Sequence, residues 1–219
     1  MQNTAMSFIP EWSVLVNYTI ACIILFATPG PDMSLFLART VTGGRRAGMA
    51  SMIGANLGCL IHSALAALGL SALINASPAA FGVMKIIGAL YLLWLAADAI
   101  RNGSSLSIRD EARREAPFWR TLLVGITVNL SNPKVVLFYV TFLPLFVSAD
   151  DPAAAGKLFF LGAYLVIVSV PLAALLIFGA ERAIDTLRRK PAIMRGIDWA
   201  FAGVFGFFAL TILMAEAKK

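Results

Sequence analysis

The stretch FATPGPDMSLF, residues 26–36, decides how this chain is read. It begins inside an apolar run of the kind that crosses a membrane. It then sets two prolines, a glycine and an aspartate where that run should continue. Hydrocarbon offers no partner to the backbone N–H and C=O groups that such a break frees. The break is tolerable only against protein or a water-filled cavity, and an acid at that depth calls for a partner.

The surrounding composition is that of a polytopic membrane protein. Of 219 residues, 59% are hydrophobic and 14% charged, and the mean hydropathy is +0.82. Crossing a bilayer takes roughly 20 apolar residues as a helix. Apolar runs lie near 13–38, 47–74, 79–100, 118–148, 155–180 and 197–216. That predicts an all-α integral membrane protein with six transmembrane helices, the first and fourth of them broken, and leaves no room for a soluble domain. The opening MQNTAMSFIPEW has no basic segment and no small-residue cleavage site, so the first span reads as retained rather than as a signal peptide.

A net charge of +6 and a pI of 9.7 would suggest nucleic acid in a soluble protein. Here the basic residues fall in short loops between apolar runs, so a nucleic-acid partner is not expected. Loop 39–46 holds Arg39, Arg45 and Arg46; loop 101–117 holds Arg101, Arg109, Arg113 and Arg114, with Arg120 just past it; loop 181–196 holds Arg182, Arg188, Arg189, Lys190 and Arg195. The opposite loops, near 75–78 and 149–154, carry none, although Lys157 stands at the start of the fifth run. The positive-inside rule then places the basic loops in the cytoplasm and both termini outside, with Lys218 and Lys219 as a small dissent. The chain reads as a single membrane domain, 1–219. Its halves, 1–100 and 118–219, are joined by the cytoplasmic linker 101–117. Three spans per half make any internal repeat an inverted one.

The break has a counterpart in VNLSNPKVVLFYVTFLP, residues 128–144. An offset of 102 residues aligns Pro31 with Pro133, Asp32 with Lys134, Leu35 with Leu137 and Phe36 with Phe138. Paired Pro/Gly interruptions in corresponding halves point to a transporter's binding site. Pro29 and Gly30 open the first break, and Pro31 suits the first position of a new helix with Asp32 in its first turn. In the second, Asn132 is the expected N-cap and Pro133 the first helical residue. Lys134 then has the wrong sign for that helix end. Inserting it near mid-membrane costs roughly 2.5–3.5 kcal/mol, which calls for Asp32 or an outside anion as its partner. Two readings stand at this point. Asp32 and Lys134 form a buried pair that staples the halves together, or they bind a zwitterion through its ammonium and its carboxylate.

ATPGPD at 27–32, the spaced glycines Gly43, Gly48, Gly54, Gly58 and Gly69, the run KIIGALYLLWLAADAIR at 85–101 and NPKVVLF at 132–138 together resemble the lysine exporter and homoserine/threonine resistance (LysE/RhtB) family of bacterial amino-acid exporters. The resemblance covers nearly the whole chain. It implies a six-helix fold of two inverted three-helix repeats in the bacterial inner membrane. It also implies a secondary transporter, not an enzyme, that exports amino acids or related small metabolites in exchange for protons. The motif residues it singles out are Pro29, Gly30, Pro31, Asp32, Asn132, Pro133 and Lys134.

Asn56 lies between Gly54 and Gly58, a spacing that equally fits close helix packing. His62, the only histidine, is either a proton relay beside Asp32 or a residue bonded to a neighbouring helix. Asn129, three residues before Asn132, lines the cavity or satisfies backbone freed by the break. The substrate-binding candidates are thus Asp32, Lys134, Asn132, Gly30, Asn56 and Asn129, with Asp32 and His62 for protons. Lys85 reads as snorkelling, Asp98 as paired with Arg101, and Trp12, Trp94, Trp119 and Trp199 as interfacial anchors. Cys22 and Cys59 lack the spacing of a redox or metal site, so no cofactor and no metal is expected. A cation or metal exporter of related fold is the alternative, but it should concentrate Asp, Glu, His or Met in facing spans. The chain's partners are then a small-molecule substrate, protons and lipid, with room for a homodimer.

Overall fold

The computed structural model describes residues 8–103, 117–148, 151–180 and 190–216, together with 182 and 184. Arg109, Arg113, Arg114, Arg188, Arg189, Lys218 and Lys219, on which part of the charge count rests, lie outside the described residues. All regular structure among the described residues is helical. The elements are α1 (Trp12–Ala27), α2 (Pro31–Ala76), α3 (Pro78–Asn102), α4 (Phe118–Leu130), α5 (Pro133–Leu137), α6 (Ala154–Phe178) and α7 (Pro191–Glu216). A π-helical turn (Phe138–Phe142) and a 3-10 turn (Leu143–Phe146) follow α5.

By length and composition α2, α3, α6 and α7 can each cross a membrane. Residues Phe118–Leu130 and Pro133–Phe146 form a bent pair, at 53°, that brings the candidate spans to five when counted as one, while α1 is a shorter apolar helix. The six apolar runs do not map one to one onto these helices, because α2 carries the end of the first run and all of the second. The loop expected at 39–46 is helical except at Gly44, with φ 77° and ψ 176°. Polar side chains did not interrupt the helix here because the threonines bond back along it. Thr40 Oγ1 donates to Phe36 O at 2.6 Å and Thr42 Oγ1 to Ala38 O at 2.8 Å. Gly44 alone leaves the helix, in a backbone region that only glycine enters without strain.

That one residue reverses the chain. A side chain at Gly48 would run into Thr40, yet eight residues of straight helix would hold the two about 12 Å apart. Phe36 packs with Met52 and Ala55 in one cluster. The contacts 40 to 48 and 36 to 52 are both centred on residue 44, so the limbs 31–43 and 45–76 form a helical hairpin. The same register brings Asp32 opposite Asn56.

The second limb of the hairpin crosses α4 at close range. A methyl at Gly54 would fall on the Leu122 carbonyl and lie 3.0 Å from Ile126 N, and one at Gly125 would fall on Ser51 O. Small residues let the two backbones touch, as small-residue interfaces do in membranes. Around this crossing α2 also packs along α6, and α3 packs on α7. The joint between α2 and α3 is a single residue, Ser77, whose Oγ accepts from Ala80 N at 3.1 Å. The core gathers on the π-helical turn, where Phe142 stacks near Phe138, Phe146, Phe205 and Phe208 with centroids 4.9–5.2 Å apart. Pro144 has no N–H to return to Val140 O, and Leu143 N bonds instead to Phe138 O.

Several surface expectations resolve at the same time. Asp98 does not pair with Arg101; its Oδ1 accepts from Asn102 Nδ2 at 2.6 Å, one full turn on, where the two side chains share a face. Lys85 lies over the Phe81 ring at 5.2 Å, and all four tryptophans are exposed. Before α6, the Lys157 ammonium 2.5 Å from Asp151 holds that carboxyl below the usual carboxylate range.

The crossing and the turn are separately testable. Gly54→Ala is expected to lower the thermal stability of the detergent-purified protein by about 1–3 kcal/mol through overpacking. Gly69→Ala, with open space around it, should not lower it. Melting followed by size exclusion compares the two, and equal behaviour would count against the close crossing. Gly44→Ala should cost on the order of 1–3 kcal/mol in the same measurement, from backbone strain alone.

Candidate functional site

The two breaks meet. Pro29 turns Thr28 out of the helix into extended backbone, with φ −71° and ψ 116°. Gly30 is extended, and Pro31 opens α2. On the other side Asn132 is extended ahead of Pro133 and accepts from Lys134 N at 3.1 Å through its side chain, so the expected N-cap is formed. Between the breaks lies a cavity of about 70 Å³, enough for several waters. Its polar wall holds Gly30, Asp32, Asn56, Asn129, Asn132 and Lys134, with Thr28 and Ser169 beside them. All six substrate-binding candidates named from the sequence therefore come together. Pro29, Pro31 and Pro133 frame the cavity from the helix ends.

Lys134 and Asp32 share this wall without forming an ion pair. Lys134 Nζ donates instead to two backbone carbonyls at the end of α1, Leu25 O at 2.9 Å and Thr28 O at 2.5 Å. A cation that is misplaced at the start of α5 is correctly placed at the C-terminus of α1, where carbonyls lack intrahelical partners. The staple of opposite charges is thus replaced by a staple of lysine on backbone. Gly30 makes it feasible, since a side chain there would come within 3.3 Å of the ammonium.

Asp32 makes the reciprocal contact. Its Oδ2 accepts from Asn129 Nδ2, in the last turn of α4, at 2.8 Å. Its Oδ1 is buried with no hydrogen-bond partner, and the same holds for Asn129 Oδ1. Asn129 is 1% exposed and also lies 3.5 Å from Cys59 Sγ. Opposite, Asn56 Oδ1 accepts from Ser169 Oγ of α6 at 2.7 Å, and Asn56 Nδ2 donates back to Met52 O at 2.9 Å. The remaining wall is apolar, with Leu25, Met33, Phe36, Val135, Leu165 and Ala173.

His62 is not on the wall. It stands six residues past Asn56, stacked on Tyr139 with centroids 5.3 Å apart, and its Nε2 is buried without a partner. Tyr139, within the π-helical turn, donates to Gly162 O at 2.9 Å and accepts from Ser63 Oγ at 3.3 Å. Sequence reasoning missed Ser169, although one hydroxyl in the apolar run VIVSVP was a signal. It also missed the Leu25 and Thr28 carbonyls, which no side-chain pattern reveals. A second, wider cleft of about 1060 Å³ lies at the tip of the hairpin, between Thr40–Arg45 and a stretch that includes Ile177, Phe178 and Arg182. Arg45 lies over the Phe178 ring there, 5.2 Å from its centre.

Residues 23–216 match the LysE type translocator family. A leucine efflux protein of Salmonella typhimurium strain LT2 is 30% identical over 153 residues, which cover 70% of this chain and 72% of that protein. A leucine efflux protein of Klebsiella pneumoniae is 29% identical over 167 residues, 73% of this chain and 76% of that one. An uncharacterized membrane protein of Escherichia coli K12, YahN, is 28% identical over 193 residues, 87% of this chain and 85% of its own. No solved structure matches. Because the family match runs from inside α1 to the end of α7 and takes in both breaks and the whole cavity, the chain belongs to the LysE type translocator family and is a multi-pass membrane transporter rather than an enzyme.

Proposed function

We propose that this transporter exports amino acids, aliphatic ones foremost, from the bacterial cytoplasm by proton-coupled alternating access at the cavity between the two breaks. One observation carries the proposal. Two residues that line one cavity each have bonding capacity to spare: Asp32, whose Oδ1 has no partner, and Lys134, with two of its three donors engaged. The substrate ammonium meets Asp32 Oδ1. Its carboxylate meets the remaining Lys134 donor and the free N–H groups in the first turn of α2. The apolar wall takes the side chain, which agrees with relatives named for leucine efflux. A cation cargo would be repelled by Lys134, and no observation favours that alternative.

Counting the hairpin limbs separately gives six spans: the pair 12–27 and 31–43, then 45–76, 78–102, 118–146, 154–178 and 191–216. Two inverted three-helix repeats, 1–100 and 118–219, follow from that count. In the inner membrane with termini outside, the hairpin tip and the wide cleft beside Arg45 and Arg182 face the cytoplasm as the mouth through which cargo enters. The cleft sits roughly 18 Å from the Asp32 level along the hairpin, twelve residues of helix away. Protonation of Asp32 removes the charge that holds the ammonium and so releases cargo. His62, beyond the cavity on the side away from the tip, hands the proton between Asp32 and the outer water.

Cells loaded with a dipeptide mixture give the first test, by mass spectrometry of the medium. The wild type should excrete one or a few amino acids, leucine among them. Asp32→Asn and Lys134→Gln, at equal membrane levels, should excrete at least about tenfold less, the equivalent of roughly 1.4 kcal/mol. Media that cannot be told apart would remove amino-acid export from the lead. For orientation, single cysteines at Gly43 and at Ala79, in a chain lacking Cys22 and Cys59, should react with an impermeant thiol reagent from the cytoplasmic and the outer side respectively. The reverse pattern would invert the topology.

A further inference from the structure

The cavity and the wide cleft at the hairpin tip are separate spaces with one layer of side chains between them. The hairpin register orders them: Asp32 stands opposite Asn56 at the cavity, Phe36 packs with Met52 one turn on, and Thr40 meets Gly48 at the cleft. About 12 Å of helix separates the Asp32 and Thr40 levels. The level between is filled by Phe36, Met52, Ala55, Ala173 and Ile177, all buried in one apolar cluster. Phe36, Ala55 and Ala173 also line the cavity, and Ile177 also lines the cleft. The cluster therefore touches both spaces and offers no polar group, so it bars water and a zwitterion while it stays closed.

Ala173 and Ile177 come from the end of α6, which is held differently from the rest of that helix. Ahead of Pro171, Tyr164 shares a hydrogen bond with Thr19 of α1 at 3.0 Å, Gly162 O accepts from Tyr139, and Ser169 donates to Asn56. Past it, residues 172–178 read LAALLIF and have no hydrogen-bonding side chain. Pro171 has no N–H to return to Ile167 O, so the helix ladder is interrupted between the two parts. We infer that the layer is the gate between cavity and cleft, plugged by Phe36, and that it opens when the end of α6 swings about Pro171. The inference rests on the exporter reading above, in which cargo reaches the cavity from the cleft. Opening parts Ala173 and Ile177 from Phe36, while the Ser169–Asn56 bond keeps the earlier part of α6 on the hairpin.

Cys59 lines the cavity and serves as the reporter. The parent is the full-length chain with Cys22→Ala, in membrane vesicles of either orientation. The probe is sulfonatoethyl methanethiosulfonate, which does not cross the bilayer, and the mass of the purified protein gives the rate of reaction. The cleft side is the face from which a cysteine at Gly43 reacts. The parent should react slowly from that side as the gate opens, and a parent that does not react at all overturns the opening. Phe36→Ala should raise the cleft-side rate at least about tenfold, since local opening follows the packing that is lost. Phe205→Ala deletes the same side chain from the aromatic cluster, away from the cavity, and should stay within about twofold of the parent. Pro171→Ala, which restores the missing N–H, should slow the cleft-side reaction, and a rate equal to the parent's overturns the hinge. The layer is no gate if Phe36→Ala reacts no faster than Phe205→Ala, or if its rate rises equally from both sides, as in a loosened fold. Should Phe36→Ala fail to fold, Ile177→Ala decides alone, by raising the cleft-side rate at least about threefold or failing to. Labelling needs no cargo, so these outcomes stand apart from the exporter reading, which falls instead if cells excrete no amino acid.

Discussion

The grip of Lys134 on the two carbonyls at the end of α1 is the interaction on which the rest of this structure depends. A helix that stops in hydrocarbon leaves its last carbonyls bare, at several kcal/mol for each group without a partner. A lysine at the same depth is costly as well. Brought together they cancel much of both penalties, since the cation occupies the negative end of the helix and its N–H groups satisfy the bare oxygens. Pro29 ends α1 and the Asn132 cap with Pro133 starts α5, and Lys134 ties the two together. The cavity exists because the two ends are held a side chain's length apart.

Everything that brings the breaks together is built from small residues. Gly54 and Gly125 let the hairpin and α4 touch backbone to backbone. Gly58 makes room for the Asn129 amide one turn further on, and Gly30 makes room for the lysine. The Gly44 turn then folds residues 31–43 back along 45–76 in the register that sets Asp32 opposite Asn56. Gly30, Gly54, Gly58 and Gly125 thus each set an approach distance, fixed by what passes beside them. Bulk is gathered away from the cavity, in the aromatic cluster around Phe142.

The breaks, the N-cap at Asn132 and six of the residues that line the cavity were legible in the sequence because proline, glycine and buried charge have few uses in an apolar span. What could not be read was who partners whom. An Asp and a Lys in matching positions suggest an ion pair, but a helix C-terminus is an acceptor with no side-chain signature. The connection expected over 39–46 shrinks to a turn at Gly44 for a related reason: hydroxyls that bond back to the helix look like loop residues in a composition count. The pairing of Asp98 was missed because two partners, Arg101 and Asn102, lie within one turn of it. The π-helical turn has no pattern at all beyond the proline that follows it.

The opposite signs of Asp32 and Lys134 account for the asparagine between Asp32 and α4. Offset by 102, Asn129 corresponds to Ala27 in the last turn of α1. Lys134 reaches the end of the opposing helix directly, because carbonyls accept and an ammonium donates. Asp32, reaching the end of α4 in the same manner, meets carbonyls that can only repel it. A donor has to be interposed, and the asparagine amide supplies it. An amide covers one carboxylate oxygen, and two carbonyls engage two of the three ammonium donors. Each charge therefore keeps bonding capacity of opposite sense, on two residues that line the same cavity.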